Sequence, residues 1–350
     1  MNKKLLKKIG VFAGIIALFL VLAYAFVPQV LEGKIVDQAD FTGYVGMSRE
    51  AAQHNAEHPE DLTRWTNSMF GGMPVTSIFS SNDGDWTHLL YRFLMMGKRP
   101  ASWLFISLVG AFLLMLSLGI SKLPAIGGAI AVTFCSYNLQ IIQVGHNTKM
   151  QALAFLPWVL AAVIFTYRAA LRKPKSASDS GGPDQAIPFR EWFPMTALGA
   201  VLFALALSLQ IKANHQQITY YLAIIIFIYA LSIFIWLVAG KERRRQLNRF
   251  FVASALLLGI GLVGIATNAI KLAPLYEYSQ HTMRGGSELS HPEGGEVSDK
   301  GLQIDYATAW SYGWEELPNL LIPNFNGGAS TGAVNPDKSA VVKLFKQAGQ

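Results

Sequence analysis

The sequence predicts an all-α integral membrane protein, and three observations carry that expectation. Of 350 residues, 52% are hydrophobic and 15% are charged, where soluble domains carry about 25% charged residues. Mean hydropathy is +0.32. The apolar residues come in long blocks, not at the spacing of half-buried strands or amphipathic helices. These features exclude a disordered chain, a secreted disulfide scaffold and an ordinary soluble enzyme. Cys135 is the single cysteine, which rules out an intrachain disulfide, a CxxC redox pair and a cysteine-rich zinc site.

Crossing the hydrocarbon core as a helix takes about 20 apolar residues. Seven stretches meet or approach that length: Ile9–Val27, Ser102–Ile120, Leu123–Ile142, Met150–Tyr167, Met195–Ile211, Ile218–Ala239 and Phe251–Leu272. The first follows Lys3, Lys4, Lys7 and Lys8 and precedes Ala23-Tyr24-Ala25, which also suits a cleavable signal. Its apolar run exceeds the roughly 7–15 residues of a signal peptide, so an uncleaved anchor is expected. Orientation follows from the basic residues of short loops. With the N-terminus cytoplasmic, the inner segments 1–8, 121–122, 168–194 and 240–250 hold 15 of the 29 Lys and Arg but 4 of the 22 acidic residues. The expected map is then a cytoplasmic N-terminus (1–8), a first helix (9–27), a large extracytoplasmic loop (28–101), helices two to seven (102–272) and an extracytoplasmic segment (273–350). Lys241-Glu242-Arg243-Arg244-Arg245 is accordingly a loop facing lipid headgroups, not a nucleic-acid patch. The stretch from Lys173 through Pro183 is a flexible cytoplasmic linker. Within the first loop, Trp86, Leu89, Leu90, Phe93 and Leu94 recur at helical spacing beside Arg92, Lys98 and Arg99. This spacing predicts an amphipathic helix in the membrane interface or packed against the rest of the loop.

Polar residues are unevenly placed in the spans. The third ends in Thr133, Ser136, Tyr137, Asn138, Gln140 and Gln143, running into Gly145-His146-Asn147-Thr148-Lys149. Ser208, Gln210, Lys212, Asn214 and His215 end the fifth; Gln216, Gln217, Thr219 and Tyr220 open the sixth; Thr267, Asn268 and Lys271 end the seventh. In the expected topology all these clusters lie at the outer ends. Singly each is as well explained by satisfied interfacial residues, but intramembrane polar groups are costly and tend to mark function. Together they describe a cation-bearing pocket for an amphiphile whose tail stays in lipid, with Lys149, Lys212, Lys271 and Arg284 available for phosphate. Glycosyl-type chemistry also needs a carboxylate, and Glu32, Asp37 and Asp40 lie close to the first span.

Several motifs stay bland. His54 and His58 have helical metal-ligand spacing, but no third ligand is evident and Pro59 follows, so a solvated helix face is expected and no metal is assigned. Phe70-Gly71-Gly72 and Arg284-Gly285-Gly286 follow no βαβ strand, so no nucleotide cofactor is expected. Trp310, Tyr312 and Trp314 suit sugar stacking or an interfacial aromatic belt equally.

Asp40 after the first span, followed by Leu62-Thr63-Arg64-Trp65-Thr66-Asn67-Ser68-Met69-Phe70-Gly71-Gly72-Met73-Pro74, resembles the YfhO-like family of bacterial membrane proteins in its Bacteroidetes-type form. Gly145 to Lys149, Ala213 to Tyr221, Thr267-Asn268 through Leu275 to Ser279, Arg284 to Leu289, Ala309 to Gly313 and Leu321 to Phe325 extend the resemblance over nearly the whole chain. It implies a GT-C-type glycosyltransferase: a multi-span helical bundle in the bacterial inner membrane, with an acidic catalytic residue in a large first extracytoplasmic loop. The implied partners are a polyprenyl-phosphate sugar donor, membrane lipids and a cell-envelope glycan or glycolipid acceptor. By analogy Asp40 is the acidic residue, with Asp37 as second choice. Lys149, Lys212 or Arg284 then hold the donor phosphate, and His146, Asn147, Asn214, His215 and Gln216 line the pocket. Family members are longer, so this chain is expected to be an N-terminal fragment. A lipid-linked glycan transporter or flippase and a non-enzymatic assembly factor are the rival readings. The transporter predicts inverted repeats, broken helices and polar residues near the midplane; Pro124 and Pro157 interrupt apolar stretches, but no internal repeat is visible.

Overall fold

The computed structural model describes residues 3–78, 87–95, 97–172, 188–282, 304–309, 311, 313–322, 325 and 340–348. Among them the chain is a helical multi-pass membrane protein: six helical stretches are long and apolar enough to cross a bilayer, one of them the interrupted stretch Lys122–Val144, and the one sheet is a two-stranded ribbon. The expected linker around Lys173–Pro183 lies outside the described residues, as do Arg284, Trp86, Trp310 and Tyr312.

Helix α1 (Lys3–Phe26) packs on the shorter apolar helix α4 (Ala101–Ser117). Between them run α2 (Ala39–Glu57), the antiparallel ribbon β1 (Trp65–Thr66) and β2 (Met73–Pro74), and α3 (Thr87–Leu94). The bundle continues with α5 (Lys122–Thr133), α6 (Ser136–Val144), α7 (Asn147–Ala170), α8 (Phe189–Lys212), α9 (Gln216–Ala239) and α10 (Leu247–Ala266), followed by α11 (Ala269–Ser279). The most buried span is α7, held between α4 and α8. It continues through Pro157, whereas Pro124 sits in the first turn of α5, where a missing N–H costs no helical bond.

Two expected spans turn out to be interrupted. The third breaks at Phe134–Cys135, where Cys135 is extended. Carbonyls freed by a break inside a bilayer have no water to bond, and here Asn138 Nδ2 donates to the carbonyls of Val132 and Thr133, at 3.0 and 3.2 Å. The seventh stops at Ala266, short of the expected Leu272, because Thr267 and Asn268 turn back onto α8. Thr267 Oγ1 donates to Gly264 O at 2.8 Å, and Asn268 Nδ2 donates to Ser208 O at 3.0 Å. Small residues let the helices close here: a Cβ on Gly264 would lie 2.6 Å from Ala204 O.

One end of the bundle is basic. Arg168 donates to Ser117 O, Arg172 to Glu191 O, and Arg249 to Ala170 O and Arg172 O. The polar residues singled out in the sequence collect at the opposite end. There the phenol of Tyr24, in the last turns of α1, accepts from the Lys98 N–H just before α4.

Candidate functional site at the polar end of the bundle

The site is organised by one turn. Helix α6 ends on Gly145, whose φ of +103° is a left-handed conformation that glycine adopts without penalty. His146 and Asn147 then start α7. The N-terminus of α2 docks directly on this turn: a Cβ on Gly145 would lie 3.0 Å from Gln38 Cβ and 3.2 Å from both Asp40 Cβ and Phe41 N. Gln38 and Asn147 pair amide to amide, each donating to the other at 3.1 Å, and Gln38 donates also to Ile142 O.

That docking brings Asp40 to His146, with Oδ2 and Nε2 2.8 Å apart and both side chains about half exposed. A carboxylate from the first loop and an imidazole from the helix junction thus meet at the rim. Asp37 is exposed in the extended segment before α2, and Glu32 pairs with Lys34 at 2.6 Å. Of the three carboxylates weighed from sequence, Asp40 is the one in contact with the polar cluster.

The remaining predicted residues among those described lie at the same end of the bundle. Lys149 Nζ lies 5.1 Å from the Tyr137 ring centroid. His215 follows Asn214, which has a φ of +57° and accepts a 2.8 Å hydrogen bond from Gln216 Nε2. Burial holds His215 below the ordinary imidazole pKa, reinforced by the charge of Lys149 and more weakly by His146. Lys149 and His146 are therefore both within electrostatic reach of His215. Lys212 is 6% exposed, and its Nζ lies 5.7 Å from the ring centroid of Tyr91 on α3. Tyr91 donates to Gln151 Oε1 at 2.6 Å, and burial pushes its phenol up to about 12, opposed by the charge of Arg99. Gln210 Nε2 and Asn268 Oδ1 are buried with no hydrogen-bond partner; such groups are costly, and both lie at this same end.

Below Lys212 a cavity of about 470 Å³ opens between α4, α7 and α8. It is walled almost wholly by apolar side chains and runs from Leu90, Leu94 and Leu209 at the polar end to Leu116, Ser117 and Phe165 near the basic end. Helix α3 is amphipathic as expected, but it packs on the bundle helices and not on the rest of the first loop: Leu90 and Leu94 face this cavity, while Leu89 and Phe93 are exposed.

Gln38, Tyr91 and Gln151 were not singled out in the sequence. Gln151 stands one helical turn after Asn147, a spacing that offered a signal; Gln38 and Tyr91 are positioned by long-range docking and offered none. His54 bonds Asp61 O at 3.1 Å and lies ring to ring with His58 at 4.8 Å. Among the described residues no three His, Cys, Asp or Glu side chains gather as metal ligands. Compared with protein-family models, with curated proteins and with solved structures, the chain has no match.

Proposed function

We propose that the chain is a membrane glycosyltransferase of the YfhO-like, GT-C type. It moves a sugar from a polyprenyl-phosphate donor to a cell-envelope glycan or glycolipid on the extracytoplasmic side of the bacterial inner membrane. The observation that carries this reading is the Asp40–His146 pair, 2.8 Å apart at the rim of a cation-bearing cluster. In the proposed reaction the Asp40 carboxylate takes the proton of the acceptor hydroxyl as its oxygen bonds the anomeric carbon, and the bond from that carbon to the donor phosphate breaks. Polyprenyl phosphate leaves with the bonding electrons. His146 orients Asp40, Lys149 and Lys212 offset the charge gathering on the phosphate, and Asn147, Asn214, His215 and Gln216 line the approach. The apolar cavity beneath Lys212 suits the first isoprene units of the donor. Arg284, the third cation the resemblance suggests, lies outside the described residues.

The break at Phe134–Cys135 favours a second reading, a lipid-linked glycan transporter, because discontinuous spans are a transporter feature. One experiment separates the two. The purified full-length protein in lipid is incubated with radiolabelled polyprenyl-phosphate sugars and an envelope extract, alongside Asp40→Asn. Loss of a general base should lower transfer by about 10²–10⁴-fold while the variant stays folded. Transfer unchanged in Asp40→Asn would overturn the assignment, and saturable donor binding without transfer would favour the transporter. Orientation is read in a Cys135→Ala background: a membrane-impermeant maleimide should label Asp37→Cys from outside and leave Lys241→Cys unlabelled.

A further inference from the structure

A second cavity, of about 420 Å³, borders the Gln38–Asn147 amide pair, and neither Asp40 nor His146 lines it. Gln38 and Asn147 form one wall, and Lys34, Lys98, Arg99 and Trp103 are among the others. The glycosyltransferase reading uses none of these cations. Three features give the cavity its character. Three basic side chains line it and no acidic one does. Lys98 and Arg99 stand at the start of α4, where the helix dipole is already positive and neither a side-chain cap nor an acidic first-turn residue offsets it. Finally, Trp103 is 1% exposed, and its indole Nε1–H is buried with no hydrogen-bond partner.

Gathering like charges at a helix N-terminus beside an unsatisfied buried donor is unfavourable for an empty pocket and favourable for one holding an anion. A phosphate group fits, with oxygen atoms enough for an ammonium, a guanidinium and an indole N–H together. Arg99 already stacks on Trp103, with Cζ 5.6 Å from the ring centroid, which holds its guanidinium at the wall. Lys34 shares its charge with Glu32 at 2.6 Å, so the binding weight falls on Lys98 and Arg99. Ile35, Phe41 and Trp103 add apolar surface, and α4 enters the bundle immediately below. We propose that this pocket is a second anion site that takes the phosphate headgroup of a membrane lipid. The site needs no catalysis, so it stands or falls apart from the glycosyltransferase reading.

The test uses the full-length protein in detergent and native mass spectrometry, with dioleoylphosphatidylglycerol as the probe and glycerol-1-phosphate as a soluble competitor. Lys98→Gln with Arg99→Gln should raise the lipid Kd at least tenfold. Trp103→Phe, which keeps the ring and removes the N–H, should raise it roughly three- to tenfold. The control Arg49→Gln, exposed on α2 and not part of the cavity lining, should leave this step of binding unchanged. Competition by millimolar glycerol-1-phosphate would assign the source to soluble phosphates and overturn the lipid assignment. Equal affinity in wild type and Trp103→Phe would overturn the site itself, even if the double variant fails to fold.

Discussion

Replacing Gly145 by alanine tests the docking that creates the candidate site. At φ +103° a residue with a Cβ is strained by about 1–2 kcal/mol. The new methyl would also stand 3.0 Å from Gln38 Cβ and 3.2 Å from Asp40 Cβ and Phe41 N. Overpacking of this kind costs about 1–3 kcal/mol when the neighbours cannot yield. The neighbours here can yield in one way, by lifting the N-terminus of α2. That route breaks the two Gln38–Asn147 bonds, each worth about 0.5–1.5 kcal/mol net, and separates Asp40 from His146. The two routes cost similar amounts, so the variant should lose about 2–5 kcal/mol and hold Asp40 loosely. Thermal unfolding in detergent reads the stability, and hydrogen–deuterium exchange of residues 38–45 reads the undocking. Gly127→Ala is the matched control: nothing lies within 4 Å of its added Cβ, so it should be neutral or stabilise by about 0.5–1 kcal/mol. A Gly145→Ala protein as stable as wild type, with unchanged exchange at Phe41–Tyr44, would refute the docking argument.

Three other substitutions probe separate parts of the fold. Gly110→Ala sets a methyl 2.5 Å from Trp158 Nε1, whose N–H donates to Ile106 O at 2.9 Å; the α4–α7 seam should lose about 1–3 kcal/mol in thermal unfolding. Glu50 holds the ribbon loop by accepting from Thr66 Oγ1, Asn67 N and Ser68 N at 2.7, 2.8 and 3.0 Å. These bonds, Thr66 first, keep its carboxyl below the ordinary 4.5. The order they confer is therefore complete above pH 4.5 and lost as pH falls through the lowered pKa, so proteolysis between Thr63 and Met73 should rise on acidification. In Glu50→Gln cleavage should be fast at every pH. Lys149→Met removes a charge that holds His215 neutral, so the His215 pKa should rise toward 6.5 in a histidine-labelled NMR titration; an unchanged value would place Lys149 out of its reach.

Seven apolar runs were visible because a bilayer demands length and composition, which a sequence displays directly. The interruptions were not. Nothing in Thr133-Phe134-Cys135-Ser136 forces a break; it is tolerated because Asn138 reaches back to the freed carbonyls, a tertiary arrangement with only a polar cluster as its trace. Likewise Thr267 and Asn268 end α10 early through bonds to Ser208 on another helix. For the site, the sequence shows which helix ends are polar and nominates Asp40, His146, Lys149, Lys212 and His215. It does not show that Gln38 is the residue that brings Asp40 into register, because that depends on Gly145, more than a hundred residues away. Lys98 and Arg99 were visible as interfacial charges, but their shared pocket with Trp103 exists only once α2 has docked.

The Gln38–Asn147 pair has a further consequence. Each amide gives its one matching donor and acceptor to the other, as complementary bases do. A slip of α2 by a single residue forfeits both bonds at once, so the pairing fixes the helix in rotation as well as in translation. The segment between α1 and α4 thus borrows its coordinates from a helix junction encoded far downstream. An excised 28–101 fragment would keep every one of its own residues and still have no defined position for Asp40.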